Sequence, residues 1–483
     1  MSAVLPALIV VPLLAALALA LSSRSSERVA DILCNVGTVV VVGLTFAITG
    51  PVLGGTRLEW FAGGSSPLGI NLAVDGLSLL MLLLISLGCL AASVYSVSYM
   101  DSYTSKAKYY VLFMLMLAGM NMVVLGADIV NMYVGIEIAA LACYSLVAYG
   151  LDKEYLEASF KYQVLGTVGT LCLVSGIGLM YAMLGTVSFE EMAGMGAAGV
   201  AGIAIPAVLL LSGFGLKAAF VPYHAWLPDA HSSAPSPVSA LLSGVFIKVI
   251  GLFGLMRLLF LVFVPGSTFS TVLLVLASLS ILVGALLALV QTDMKRLLAY
   301  CTISQMGYVL LGIAIGTPLA LAAALFHMVN HAIFKELFFF GAGSVERQTG
   351  TRDIASLGGL NSKMPVTGVT TAIGFFSVSG CPPFGGFWSK MLIIVAAVQA
   401  GQTGFAVVGA IGAVITIAYF LRYERGVFFG ALPEALRNVK ESPVTMVAPM
   451  IVLAAACIGL GLVFPWFIES VLQPAVHAIM LGA

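Results

Sequence analysis

Fourteen long apolar segments, separated by short polar connections, follow one another along this chain of 483 residues. Each has at least about the 20 residues that an α-helix needs to cross the hydrocarbon core of a bilayer. The sequence is 61% hydrophobic and only 9% charged, whereas a soluble domain is roughly one quarter charged. The chain is therefore predicted to be an all-α polytopic membrane protein with about fourteen transmembrane helices.

Proline, glycine and charged residues punctuate the apolar sequence and delimit the predicted spans, which we number 1 to 14 in chain order. The expected extents are 2–22, 29–50, 73–98, 107–126, 127–150, 158–184, 203–225, 237–264, 268–291, 297–315, 318–345, 364–398, 404–428 and 443–472. The first segment has no basic residue before its apolar run, whereas Arg24 and Arg28 follow it. Because a cleaved signal peptide shows the reverse order, we expect a retained first helix.

Basic residues are distributed very unevenly between the connections. The odd-numbered connections and the adjoining helix ends hold fifteen lysines and arginines, while the even-numbered connections hold only Arg57. The fifteen are Arg24, Arg28, Lys106, Lys108, Lys153, Lys161, Lys295, Arg296, Arg347, Arg352, Lys363, Arg422, Arg425, Arg437 and Lys440. Since cytoplasmic loops carry such an excess, the odd connections are predicted to be cytoplasmic and both termini to face outside.

Several classes of function are disfavoured by the composition. Basic and acidic residues balance at 21 each, which gives no sign of a nucleic-acid partner. The seven cysteines are at least 29 residues apart, which argues against a disulfide framework, a zinc site or an iron–sulfur cluster. The segment GFGLKA at 213–218 resembles a dinucleotide-binding motif, but no strand precedes it. We expect no cofactor in this chain, and energy supplied by an ion gradient or by partner subunits.

Titratable side chains recur in the middle of several predicted spans. They are Glu137 in span 5, Lys217 in span 7, Lys248 in span 8, His327, His331 and Lys335 in span 11, and Lys390 in span 12. The three residues of span 11 follow the spacing i, i+4, i+8 and are predicted to share one helix face. The glutamate and the four lysines would together cost about 12–17 kcal/mol if each stood alone in lipid. We expect them to face one another, or water, inside the bundle.

Simpler roles are open to some of these residues. Arg257, toward the outer end of span 8, is expected to extend to the membrane surface, and Lys335 could extend similarly toward the cytoplasm. Glu137 could belong to a purely structural ion pair, as could the lysine of span 8. The histidines His327 and His331 form an HxxxH pair that could bind a metal or pack as hydrogen-bonded core residues. A proton relay fits them best, because histidine titrates near neutral pH.

Two spans contain helix-breaking residues close to a lysine. Pro222 follows Lys217 in span 7, and Pro382 and Pro383 precede Lys390 in span 12. Such breaks are tolerated at membrane depth only where the freed backbone groups face protein or water. Interrupted helices in matching places of two halves indicate inverted repeats with an ion site near the midplane.

The predicted organisation follows from these breaks. Residues 1–106 hold spans 1–3, and residues 107–264 form a first repeat of spans 4–8. Residues 268–428 form a second repeat of spans 9–13, and residues 443–483 hold span 14. Because each repeat has five spans, an odd number, the two repeats must be inverted in the membrane.

Three stretches identify the family that this chain resembles. They are LKAAFVPYHAWLPDAHSSAPSPVSALLSG at 216–244, HMVNHAIFKELFFFGAGSV at 327–345 and GCPPFGGFWSK at 380–390. The sequence closely resembles, over essentially its full length, the antiporter-like membrane subunits of respiratory complex I, energy-converting membrane-bound hydrogenases and Mrp-type cation/proton antiporters. The chain ends at Ala483 without the long lateral helix of the largest relatives. We therefore expect a mid-sized subunit rather than the distal one.

The resemblance implies a chain of proton-binding groups along the midplane of the bilayer. Glu137 matches the glutamate of helix 5 that pairs, in the family, with the lysine of helix 7, here Lys217. Lys248 matches the central relay of helix 8, and Lys390 matches the terminal site of helix 12. The histidines of span 11 match the relay of helix 11. A change in the separation of the first pair would send a proton through these groups toward the terminal lysine.

The leading prediction is a proton-translocating, non-catalytic membrane subunit of a redox-driven complex, either complex I-like or hydrogenase-like, in the cell inner (cytoplasmic) membrane. Its expected partners are other membrane subunits and, through them, a soluble redox arm. The first alternative is a subunit of an Mrp-type sodium/proton antiporter without redox chemistry. The second alternative is a structural spacer subunit whose channel is idle. Protons and sodium both stay open as the transported ion.

Overall fold

The structure, a computed structural model, describes residues 2–22, 26–63, 69–195, 202–263 and 267–480. These residues form a bundle of long apolar helices, which confirms the prediction of an all-α polytopic membrane protein. Arg24, one of the basic residues used to predict the orientation, lies outside the described residues.

Fourteen passes can be followed through the described part of the chain. Eleven of them are helices long and apolar enough to cross a membrane as single elements. They are spans 1–6 at Val4–Leu21, Glu27–Leu53, Gly76–Tyr99, Lys106–Leu125, Ile129–Val147 and Lys153–Leu184, spans 8–10 at Ser236–Phe263, Ser267–Val290 and Met294–Ile315, and spans 13 and 14 at Thr403–Phe428 and Val444–Leu462. Span 11 is the 32-residue helix Pro318–Thr349. Its buried histidines, lysine and glutamate make it more polar than the others.

Span 7 is interrupted, as predicted. The helix Ala204–Ala218 ends where Ala219 adopts a left-handed conformation with φ of 56°. The chain then turns through Pro222 and enters the short helix Leu227–Ser233. The break thus begins two residues after Lys217, which lies in the last turn of its helix.

The backbone groups freed by this break find partners inside the protein. The indole N–H of Trp226 donates to the carbonyl oxygen of Leu216 at 2.9 Å. The amide of Val221 donates to the hydroxyl of Ser280, in span 9, also at 2.9 Å. Because unpaired backbone groups are costly at membrane depth, these two bonds stabilise the interrupted geometry.

Span 12 is interrupted in the same way. Its first half, Pro365–Ser379, ends at Gly380, whose φ of 78° lies in the left-handed region that favours glycine. Its second half is Gly385–Gln399, and Pro382 and Pro383 lie between the two halves. Spans 7 and 12 were each predicted as one apolar segment with an internal break, and the structure confirms this for both.

Local sequence signals fix where several spans begin. An aspartate or threonine caps the helix, and its side chain accepts a hydrogen bond from the amide three residues later. These caps are Asp75 for span 3, Asp128 for span 5, Asp293 for span 10 and Thr317 for span 11. Each satisfies one of the amides that the first turn leaves without a helical partner.

The last predicted span is shorter than expected. We predicted helix over 443–472, but Val444–Leu462 ends at Val463 and a separate helical stretch follows over 464–480. Pro465 lies in the first turn of that stretch, where backbone N–H groups have no helical partner, so the missing N–H of proline costs no hydrogen bond. In the interior of a continuous helix the same proline would remove a hydrogen bond.

A two-stranded antiparallel sheet in the second connection was not predicted. Strand β1 (Leu58–Ala62) pairs with β2 (Ile70–Val74), so that Leu58 faces Val74 and Ala62 faces Ile70. Side chains of β1 alternate between more and less exposed positions, as expected for a strand with one covered face. The short helix Phe189–Gly194 lies in the sixth connection, and a bridge between Asp128 and Ser188 joins that connection to the start of span 5.

Corresponding spans of the two predicted repeats pack through glycines. A Cβ on Gly119 of span 4 would lie 2.5 Å from the amide nitrogen of Ala139 in span 5. A Cβ on Gly284 of span 9 would lie 2.5 Å from the amide nitrogen of Ser304 in span 10. Both helix pairs therefore approach more closely than any larger residue would allow. The inverted repeats themselves stay a prediction.

Ion pairs join several odd-numbered connections at one face of the bundle. Lys106 Nζ is 3.1 Å from Asp31 and 2.6 Å from Asp101. Asp101 also lies 3.8 Å from Arg347. Connections 1, 3 and 11 thus meet through their charges. Arg57 makes its ion pairs within the even-numbered connections.

Candidate functional site

The structure brings together the glutamate of span 5 and the lysine of span 7. Lys217 Nζ lies 3.5 Å from the Oε1 atom of Glu137. Thr170 of span 6 connects them: its hydroxyl donates to Glu137 at 2.7 Å and accepts from Lys217 at 3.1 Å. The phenol oxygen of Tyr144 is 3.5 Å from the same ammonium group. A direct ion pair and a hydroxyl bridge therefore join the two charges.

The two members of this pair differ in their surroundings. Lys217 is buried, with 1% of its side chain exposed, because it lies in the last turn of a helix packed inside the bundle. That position also suits a cation, since the C-terminal end of a helix carries partial negative charge. The side chain of Glu137 is 27% exposed and so reaches the outer surface of this chain. A carboxylate at the surface of a membrane span is costly unless another group covers it.

Lys248 lies at the centre of span 8 and is fully buried. Its helix is not a regular α-helix there: residues Leu242–Phe246 and Lys248–Phe253 are π-helical. The ammonium group donates to the carbonyl oxygen of Ser243 at 2.8 Å and to that of Gly244. A carbonyl oxygen has two lone pairs and can accept from the lysine beside a helical hydrogen bond, and π-bulges often lie at functional sites.

His327 and His331 are both fully buried in span 11, one turn apart, with ring centroids separated by 6.4 Å. The Nδ1 atom of His327 is 2.9 Å from the hydroxyl of Ser389 in span 12. Neither ring nitrogen of His331 has a hydrogen-bond partner among the described residues. In the same part of the chain, no three His, Cys, Asp or Glu side chains are grouped as metal ligands would be.

Lys390 occupies the second half of span 12 and is 3% exposed. Its Nζ donates to the carbonyl oxygen of Val378 at 2.7 Å and lies 5.1 Å from the ring centre of Tyr308. Val378 belongs to the first half of the span, where the break frees its carbonyl from the helical ladder. Ser389, the neighbour of Lys390 in sequence, contacts His327. The structure thus places the histidine of span 11 beside the lysine of span 12.

The structure excludes the simpler role of Lys335 and adds an ion-pair partner to that of Arg257. Lys335 does not extend toward the membrane surface, because it is fully buried and donates to the carbonyl oxygen of Leu298 at 2.7 Å. Arg257 is 11% exposed and is held by Asp75, with its Nη1 atom 2.7 Å from the carboxylate. It lines a cavity of about 840 Å³ at the end of the bundle that holds the even-numbered connections. Although burial opposes it, Arg257 lowers the pKa of Asp75.

The predicted residues form separate groups in the described part of the chain, and not one continuous hydrogen-bonded line. One group is Glu137 with Lys217, a second is Lys248, and a third is His327 with Lys390. His331 and Lys335 lie on the same helix as the third group, and both are fully buried. No hydrogen bond between described residues joins one group to the next.

Sequence reasoning missed several buried polar residues of this region. Thr170 and Tyr144 contact the first pair, but a threonine or tyrosine in an apolar span gives no signal of its own. His231 is fully buried without a hydrogen-bond partner on either ring nitrogen. Glu336 and Glu424 are buried carboxylates. Their acidic character inside predicted spans is a signal that could have identified both.

Comparison with known protein families shows the family of this chain. Residues 126–416, more than half of the chain, match the family described as "NADH:quinone oxidoreductase/Mrp antiporter, TM". The chain belongs to this family. Residues 60–110 also match the description "NADH-Ubiquinone oxidoreductase (complex I), chain 5 N-terminus". The resemblance recognised from three sequence stretches is thereby confirmed.

Members of the NADH:quinone oxidoreductase/Mrp antiporter family resemble the chain over nearly its whole length. NADH-quinone oxidoreductase subunit N of Desulforudis audaxviator (strain MP104C) is 33% identical over 497 residues, covering 98% of this chain and 99% of the relative. A chain in the Mrp complex from Dietzia sp. DQ12-45-1b superposes with a TM-score of 0.93 at 26% identity, covering 99% of this chain and 97% of that one.

A third relative comes from a respiratory complex. A chain of the membrane-bound sulfane sulfur reductase (MBS), an archaeal respiratory membrane complex, superposes with a TM-score of 0.91 at 29% identity. The match covers 99% of this chain and 98% of that one. Relatives of this chain thus include subunits of redox complexes and a subunit of a Na⁺/H⁺ antiporter, that of Alkalihalophilus pseudofirmus, which is 30% identical over 91% of this chain and 89% of the relative.

Proposed function

We propose that this chain is the proton-translocating membrane subunit of a redox-driven complex. The observation that carries the proposal is the buried Lys217 ammonium group 3.5 Å from the carboxylate of Glu137, with the hydroxyl of Thr170 bonded to both. Such a pair binds a proton tightly when its members are close and releases it when they separate. Family membership and full-length similarity to a complex I subunit support the same function.

The hydroxyl of Thr170 gives the pair a path for the proton itself. Lys217 donates to the threonine oxygen while the threonine hydrogen is donated to Glu137. Shifting both hydrogens along this line moves one proton from the lysine to the glutamate without moving any heavy atom far. A structural ion pair needs no such bridge, whereas a site that loads and unloads protons benefits from one.

From Lys217 the proton passes to Lys248, then to the histidines of span 11, and finally to Lys390. The interrupted spans expose carbonyl groups beside two of these lysines, and Lys390 already uses one of them. Because the groups are separate in the structure, transfer between them requires water to enter the bundle. Broken helices are one place where membrane proteins admit water at midplane depth.

Partners supply the energy. Glu137 reaches the outer surface of this chain, so a neighbouring membrane subunit covers it and changes the separation of the first pair. A soluble redox arm, attached through those membrane subunits, drives the change. The chain lies in the cytoplasmic membrane with its odd-numbered connections toward the cytoplasm and both termini outside.

An Mrp-type sodium/proton antiporter subunit is the second candidate, favoured by the TM-score of 0.93 with a chain of the Dietzia Mrp complex. In that function the same buried groups exchange protons against sodium, and no electron transfer is involved. A spacer subunit with an idle channel is the third candidate. It gives no reason for the threonine bridge between Lys217 and Glu137.

The experiment that tests the proposal uses the intact complex, purified through a tag on this chain from its native membrane. Co-purified subunits are identified by mass spectrometry, and the complex is reconstituted into sealed vesicles. We expect redox subunits, and proton uptake that starts when an electron donor and an acceptor are added together. Proton movement driven only by a sodium gradient would favour the antiporter. No proton movement under either condition would favour the spacer.

A further inference from the structure

Glu336 is a buried carboxylate that the path proposed above does not use. It follows Lys335 in span 11, and only 2% of the residue is exposed. Its Oε2 atom is buried and has no hydrogen-bond partner among the described residues. A carboxylate in such surroundings is costly unless it is protonated or faces a positive charge. Packing alone does not explain a glutamate here, because a leucine or methionine would fill the same space without that cost.

Two glycines on neighbouring spans make room for this side chain. A Cβ on Gly88 of span 3 would lie 2.4 Å from the Oε1 atom of Glu336. A Cβ on Gly244 of span 8 would lie 3.0 Å from the same oxygen. Any side chain at the first position would collide with the carboxylate, and one at the second would crowd it. The carboxyl group therefore lies in a narrow space, which we call the slot, where Gly88 and Gly244 present only backbone atoms to it.

Lys248 also contacts Gly244. Its ammonium group donates to the carbonyl oxygens of Ser243 and Gly244, so the lysine and the glutamate both lie next to Gly244. Within the described residues, Lys248 has no carboxylate oxygen within 4 Å, and the same holds for the other buried lysines of spans 11 and 12. Glu336 is thus an acid placed beside a lysine that has no direct ion-pair partner.

We propose that Glu336 is a proton-binding partner of Lys248 and forms with it a second acid–base pair of the path. The inference rests on the proposed proton translocation. In the transfer, an N–H bond of the Lys248 ammonium group breaks and an O–H bond forms on the Glu336 carboxylate. Both groups become neutral, so the net charge of the pair is zero before and after. The central lysine can therefore pass its proton to Glu336, and take it back, without a change in the net charge of the pair.

The first test compares Glu336→Gln with Glu336→Asp and with a matched control, Glu424→Gln. Glu424 is also a buried carboxylate without hydrogen-bond partners among the described residues, but it lies in span 13. We expect Glu336→Gln to lower proton uptake by reconstituted vesicles at least about tenfold, since a positioned proton-transfer group typically contributes about 10²–10⁴-fold. Glu336→Asp keeps an acid in the slot and should retain more uptake than Glu336→Gln, and the control should resemble the parent.

Infrared difference spectra separate a proton-binding role from a structural one. The parent should show a carbonyl stretch of a protonated carboxyl group that appears or disappears during turnover. This band should be absent in Glu336→Gln and altered in Lys248→Gln, but unchanged in Glu424→Gln. A band that is identical in the parent and in Glu336→Gln would overturn the proposal.

A second variant tests the slot without changing any titratable group. Gly88→Ala places a methyl group against the Glu336 carboxylate, and we expect it to lower proton uptake as Glu336→Gln does. Parent-like uptake by both Gly88→Ala and Glu336→Gln would exclude Glu336 from the path. If the parent complex moves no protons, the proposed function itself is wrong. If the parent does pump and Glu137→Gln abolishes pumping while Glu336→Gln is normal, only the present inference fails.

Discussion

The ammonium group of Lys390 donates a hydrogen bond to the carbonyl oxygen of Val378, 2.7 Å away across the break of span 12. The lysine therefore holds together the two halves of an interrupted helix while it lies next to Ser389, the partner of His327. No carboxylate oxygen lies within 4 Å of its ammonium group in the described part of the chain, so the charge faces only the Val378 carbonyl and the ring of Tyr308 among the contacts found there. A group held in this way is able to give up its proton, because no fixed negative charge retains it.

Replacing Lys390 distinguishes a proton carrier from a structural cation. A carrier must bind and release a proton but need not be positive, so Lys390→Glu should retain more proton uptake than Lys390→Ala or Lys390→Met. A protonated glutamate can also donate to the Val378 carbonyl, as the lysine does. A purely structural lysine predicts the opposite order, because an ionised glutamate would repel that carbonyl oxygen. Proton uptake is measured in vesicles and normalised to the amount of assembled complex. Higher uptake by Lys390→Met than by Lys390→Glu would rule out the relay role.

We predict that proton uptake needs the hydroxyl of Thr170 as well as the charged groups of Lys217 and Glu137 that it connects. Thr170→Val keeps the shape of the side chain but removes the bridge between Lys217 and Glu137, so proton uptake should fall about tenfold or more. Thr170→Ser restores the hydroxyl and should recover most of the activity. The matched control is Thr45→Val, since the hydroxyl of Thr45 only contacts the Val41 carbonyl of its own helix, at 2.9 Å. Equal uptake by the two valine variants would remove Thr170 from the path.

Close packing at the break of span 12 leads to a stability prediction. A Cβ on Gly386 would lie 1.9 Å from the carbonyl oxygen of Ser377, so Gly386→Ala must push the two halves of the span apart. We expect a loss of stability of about 1–3 kcal/mol, the usual cost of overpacking. Gly178→Ala in span 6 is the control, since no atom lies within 4 Å of its added methyl group. Thermal unfolding of the purified complex measures both, and similar midpoints for the two variants would contradict the geometry of the break.

The breaks and the buried charges could be predicted from the sequence because both depend on local chemistry. A proline cannot continue a helix, and a lysine in an apolar segment is costly wherever that segment packs. The pairing of Glu137 with Lys217 also followed from the resemblance to known relatives. The partners of these groups could not be predicted in the same way. Thr170 and Val378 acquire their roles only because helices distant in sequence, or two halves of one span, meet in space.

Other differences have equally local causes. The predicted end of span 14 was wrong because Pro465 lies in the first turn of a new helical stretch that begins at Phe464. Strands β1 and β2 have five residues each, too short for alternation to stand out beside long apolar helices. The π-helical turns around Lys248 could not be predicted from the sequence, because the same residues would also suit a regular α-helix.

The proposed orientation can be tested by labelling single cysteines in sealed cells. Thr104 and Asn438 are exposed in odd-numbered connections, and Thr56 is exposed in an even-numbered one. A membrane-impermeant thiol reagent should label Thr56→Cys in intact cells and should label Thr104→Cys and Asn438→Cys only after the membrane is opened. The native cysteines, five of them buried and two half-buried, provide the background, measured in the parent chain. Labelling of Thr56→Cys and Thr104→Cys from the same side would contradict the orientation drawn from the loop charges.

The central claim is that the Glu137–Lys217 pair switches the proton affinity of the path, and Glu137→Gln tests it most directly. Glutamine keeps almost the same volume but removes the negative charge that lies 3.5 Å from the Lys217 ammonium group. The control is Glu434→Gln, because the side chain of Glu434 is 85% exposed in the last connection. The measurement is donor-driven proton uptake by reconstituted vesicles, normalised to assembled complex. We predict a loss of about tenfold or more in Glu137→Gln with normal assembly and with the control unchanged; uptake by an assembled Glu137→Gln complex at the parent rate would contradict the account.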